Sequence, residues 1–178
     1  MHGTGATQNY STSAKLLHWG FIEVFFAYRI FKQVDDLSQL EDPSFLRFEF
    51  IFACVFLALL ALRLWIMRGQ RSALPAAAPV WNRMAAKLVH FGMHAALMAI
   101  GVSGLAVGVV FTLGMHSGAL MEFCIAAHEV SITASYGLIM LHVAAALYHR
   151  ALSDGVWSAM VPLFKERPRS QAGQELHH

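Results

Sequence analysis

Four long apolar segments dominate the chain, and each is long enough to cross a bilayer, for which about 20 helical residues span ~30 Å of hydrocarbon. They fall at residues 14–31, 48–67, 85–113 and 123–149. Hydrophobic residues make up 57% of the 178-residue chain and charged residues 13%, against roughly 45–50% and 25% in soluble domains. That balance excludes an ordinary soluble globule. It predicts an all-α integral membrane four-helix bundle over residues 1–165, followed by a flexible charged tail over residues 166–178. The first segment carries Lys15, Glu23 and Arg29, so its polar side chains are expected to face the bundle or reach for headgroups. A cleaved signal peptide fits it poorly, because no charged region precedes Lys15 and no small-residue cleavage motif follows. The chain is therefore expected to keep this helix. Pro43, Gly69, Pro75 and Pro79 mark connections, the tail begins after Pro162, and no internal repeat is visible.

The positive charges orient the bundle. Arg63, Arg68, Arg71, Arg83 and Lys87 flank the second connection, while Arg150, Lys165, Arg167 and Arg169 follow the fourth segment. With Lys15 these are ten of the thirteen basic residues, leaving only Arg29, Lys32 and Arg47 on the other side. The positive-inside rule then predicts that both termini are cytoplasmic. The opposite face carries Asp35, Asp36, Glu41, Asp42, Glu49, Glu122 and Glu129, seven acids against three bases. A net charge of +2 without a basic cluster gives no footprint for nucleic acid. Cys54 and Cys124 lie singly in apolar sequence, which excludes a zinc knuckle, a dithiol redox motif and covalently attached haem.

The chain has ten histidines, and six of them (His18, His90, His94, His128, His142 and His149) lie in or beside the apolar segments. Counted inward from the cytoplasmic helix ends at 1.5 Å per residue, His18 lies about 6 Å deep, His90 about 8 Å and His142 about 12 Å. Three helices thus bring imidazoles to one level. His128 stands 14 residues from His142, about 40° away in azimuth and about 21 Å further along the axis. A single intramembrane histidine is ordinarily an interhelical hydrogen-bonding residue. Several in so small a bundle cost free energy unless each finds a partner, and opposed imidazoles at one depth suit a metal or haem. His94 is expected to pack or to line a pocket, His116 to be solvated in a loop, and His149 to meet headgroups or a propionate. Gly101, Gly104 and Gly108 are small residues that let helices approach.

The runs KLLHWGF around His18, KLVHFGMHAALMAIGVSGL in the third segment, AAHE at His128 and GLIMLHVAAALYHR from His142 to His149 resemble the four-helix bacterial cytochrome b561 family. That family is related to the cytochrome b subunits of hydrogenases and formate dehydrogenases. The resemblance covers residues 10 to about 165 and implies a multi-pass protein of the bacterial inner membrane that carries electrons to or from quinone through two stacked haems b. It implies that His18 and His142 ligate a cytoplasmic-side haem and that His128 supplies one ligand to an external one. Anchored on LALRL at Arg63, the family's second external ligand falls at Glu49, and no other histidine exists in that segment. Glu49 reads as a solvated acid at a helix end, as a hydrogen-bond acceptor for His128, or as a carboxylate ligand of a kind rare for haem, with His116 the other residue that could reach that level. One haem per chain is the expectation.

The function expected is that of a membrane b-type cytochrome passing single electrons between haem b and a membrane quinone or a partner redox protein. His90 and His94 are candidate quinone or propionate contacts, and Arg83 and Lys87 are candidate propionate partners at the boundary. The acidic external face should repel anions such as superoxide, which members of the family are proposed to oxidise, and favour a basic redox protein. Two other classes stay open. One is a non-catalytic accessory subunit of a larger respiratory or photosynthetic complex, which co-purification would reveal. The other is a histidine-lined metal-ion transporter, which would bind zinc or copper and show no haem absorption.

Overall fold

A computed structural model describes residues 10–31, 37–68 and 79–161. Every regular element among them is helical: α1 (Thr12–Phe31), a 3-10 turn (Leu37–Glu41), α2 (Pro43–Met67), α3 (Val80–Thr112), α4 (Ala119–Leu152) and the short α5 (Val156–Met160). Lys32, Asp35, Asp36, Gly69, Arg71, Pro75 and the tail from Pro162 onward lie outside the described residues.

The helices match the four apolar segments, with starts that local chemistry moves outward. α2 begins five residues before the expected Phe48, because Asp42 caps it. The Asp42 carboxylate accepts from the Ser44 N–H at 2.8 Å, and Pro43 occupies the first turn, where no N–H is needed. α3 ends where Gly114 takes a φ of 81°. The Gly114 N–H bonds the Phe111 carbonyl and the Met115 N–H bonds the Val110 carbonyl, which closes the helix and turns the chain back into α4. Three helices, α2, α3 and α4, are long and apolar enough to cross a membrane. α1 has 20 residues but is not among them, and its three charged residues are the physical reason.

Side-chain contacts show that successive helices run antiparallel. Near the start of α1, His18 meets Arg63 near the end of α2 and His142 in the last third of α4. Further along α1, the Tyr28 hydroxyl donates to Glu49 near the start of α2 at 2.7 Å. The Trp19 indole N–H also reaches the Met160 carbonyl at 3.4 Å, tying α1 to α5. Between these levels lies an apolar layer of Phe21, Phe25, Phe56, Leu60 and Leu97. A second cluster of Leu40, Val110, Phe111, Met121 and Cys124 seals the end where α3 turns into α4. The outside is apolar as well: Trp65, Phe91, Phe123 and Met140 are each at least 70% exposed. Such a surface suits lipid and not water.

Candidate functional site

The histidine layer draws one side chain from each of the four long helices. His18 from α1 and His142 from α4 have ring centres 6.4 Å apart, and His90 from α3 lies 5.2 Å from His142. From α2, the Arg63 guanidinium donates to His18 Nδ1 at 2.8 Å and stands 5.9 Å from the Phe21 ring. The depth arithmetic for His18, His90 and His142 therefore describes neighbours in space. Arg63 is the member that sequence reading counted only as an orienting charge.

His94 sits one turn beyond His90. Its Nδ1 lies 2.6 Å from the His90 carbonyl, which can only accept, so Nδ1 carries the proton and Nε2 the lone pair. That Nε2 is buried and has no hydrogen-bond partner among the described residues. A buried acceptor of this kind costs free energy unless a ligand or metal meets it. Arg83 and Lys87, in the first turns of α3, are exposed and have no described contact with the layer.

Toward the other end, α1, α2, α3 and α4 enclose a cavity of about 590 Å³, lined by Tyr28, Glu49, Phe52, Gly104, His128 and Glu129 among others. This volume lies within the range of small-molecule and cofactor sites. His128 is oriented by α3: its Nδ1 lies 3.0 Å from the Ile100 carbonyl and 3.0 Å from Ser103 Oγ. The Ser103 hydroxyl donates to the Ala99 carbonyl, so it can accept from His128. Nδ1 is thus the donor and Nε2 holds the lone pair, the tautomer expected of a metal-ligating histidine. Gly104 permits this approach, since a Cβ there would lie 3.2 Å from His128 Cε1. Glu49 is half-buried at the cavity wall, not a solvated acid, and its described hydrogen bond comes from Tyr28. His128 is the one imidazole among the lining residues.

Two histidines serve elsewhere. His149 is buried against Asp154, with Nδ1 2.5 Å from its carboxylate, where α4 ends and the chain turns into α5. His116 is exposed in the turn before α4 and stacks on Phe111 at 4.3 Å. Sequence periodicity could not reveal the supporting contacts of Tyr28, Ser103 and Ile100, because a hydroxyl or a carbonyl in an apolar run carries no signature of what faces it.

The layer of three imidazoles, with His94 one turn beyond, fits an iron porphyrin better than a bare ion. Among the described residues, no group of three or more His, Cys, Asp or Glu side chains is arranged to hold a metal ion by itself, whereas haem brings four of its own donors and asks the protein only for axial ligands. No curated protein and no solved structure matches the chain. A family model described as prokaryotic cytochrome b561 does match it, over residues 9–163, a range that takes in every described helix and both histidine levels. The chain belongs to the prokaryotic cytochrome b561 family, and with it to the membrane electron-transfer proteins that carry b-type haem.

Proposed function

We propose that this protein passes single electrons between one haem b, held at the His18–His142 layer, and a membrane quinone or a partner redox protein in the bacterial inner membrane. The observation that carries the reading is the 6.4 Å separation of the two rings. His18 and His142 come from two different helices at one level, so they are the pair that would hold a haem iron between them, while His90 stands 5.2 Å from His142 on a third helix.

When bound, haem b supplies a one-electron couple whose potential follows its axial ligands, hydrogen bonding and burial. The chain does the rest. His18 and His142 hold the group between α1 and α4, while Phe21, Phe56 and Leu97 exclude water above it. His94 Nε2 is an acceptor for a quinol hydroxyl arriving at the same level. The reading includes α1 as a fourth span, both termini in the cytoplasm, and a carrier that works from the cytoplasmic side.

A single imidazole at the outer cavity supports one haem per chain, since two low-spin haems need four axial ligands. The test is a pyridine haemochrome assay on the purified protein, with one b haem per chain as the expected result. Two per chain contradicts the stoichiometry, and none contradicts the function. The Glu49 substitution at the outer level also favours an accessory subunit as a second reading. Stable co-purification with a larger complex, together with absent quinone reduction, would establish that role.

A further inference from the structure

Arg63 is a cation at the histidine layer of a span that is otherwise apolar for its whole middle. Its described partners are a neutral imidazole and the face of Phe21. Among the described residues no carboxylate pairs with it. A guanidinium stays charged in any protein setting, and at membrane depth such a charge is costly without an anion. No described residue supplies an anion there.

Proton bookkeeping at His18 leads to the same place. Arg63 has only donors, so His18 Nδ1 must accept from it, and the single proton of the neutral ring lies on Nε2. Both nitrogens are then engaged, one by the arginine and one by a proton. For Nε2 to bind a metal, its proton must move to Nδ1, and Arg63 must give up that nitrogen. The guanidinium then needs a carboxylate within reach of the same layer. Haem b carries two.

We propose that Arg63 binds a haem propionate, exchanging His18 for that carboxylate as the cofactor seats. This rests on the assignment of haem to His18 and His142. It replaces Arg83 and Lys87 as the expected propionate partners, since both are exposed at the start of α3 and have no described contact with the layer. Its planar fork suits a carboxylate better than a lysine's point charge does.

The probes are iron protoporphyrin IX and its dimethyl ester, which lacks the propionate charges, each titrated by Soret absorbance into full-length protein produced under haem limitation. Wild type is expected to bind the free acid at least tenfold more tightly than the ester. Arg63→Gln should lose most of that preference by weakening free-acid binding, and Arg63→Lys should keep part of it. Equal affinity of wild type for both probes overturns the proposal without any variant. A full preference retained in Arg63→Gln overturns it too, and Arg83→Gln and Lys87→Gln would then show which residue reads the carboxylates. If wild type takes up neither probe, the haem assignment itself has failed and the role of Arg63 falls with it.

Discussion

Glu49 and His128 show how much one residue type decides. Both line the outer cavity, from α2 and α4, and His128 already has its Nδ1 proton committed to α3 and its lone pair on Nε2. A second imidazole is what the level lacks among the described residues. Replacing Glu49 by His removes a carboxylate that accepts from Tyr28 and adds a nitrogen ligand beside a cavity of about 590 Å³. The variant Glu49→His is expected to raise the haem content from one to two per chain, with added low-spin absorption. A content that stays at one would show that something other than the missing ligand keeps haem from this level. The histidines themselves were legible in the sequence because depth along a helix is simple arithmetic. Arg63 was not legible, since a basic residue near a span end reads equally well as an orienting charge.

At the scale of elements, the four apolar segments could be read directly, and their ends less well. The start of α2 depends on the Asp42 cap and Pro43, chemistry that lies outside the apolar run. The rotation of α2 about its own axis was hidden for another reason: its residues are apolar on nearly every face, so periodicity does not say which side meets its neighbours. Packing answers it. A Cβ at Gly101 would come within 2.6 Å of Leu57 Cδ2, so α3 fixes the facing side of α2 by close approach. α1 is the element whose membrane role rests on least hydropathy, and parity offers a clean test. Three spans put the termini on opposite sides of the membrane and four put them on the same side. Reporter fusions at both ends are expected to report the cytoplasm for each. Opposite locations would make α1 a surface helix and change how His18 reaches the layer.

For the whole molecule, the arrangement is a polar layer within an apolar body: imidazoles from three helices and a guanidinium from the fourth, with phenylalanine beyond them and lipid-facing side chains around them. Such a layer is destabilising in a membrane unless a ligand satisfies it, which is why the site and the fold belong to one account. Family membership gives haem b and electron transfer; His18 and His142 are the ligands proposed for it. The most direct test compares reduced-minus-oxidised spectra of wild type, His18→Ala, His142→Ala and His90→Ala at equal protein. Loss of the low-spin b haem is expected in His18→Ala and in His142→Ala, with His90→Ala keeping at least half of the wild-type signal. Full, spectrally unchanged haem in both of the first two variants would contradict the account.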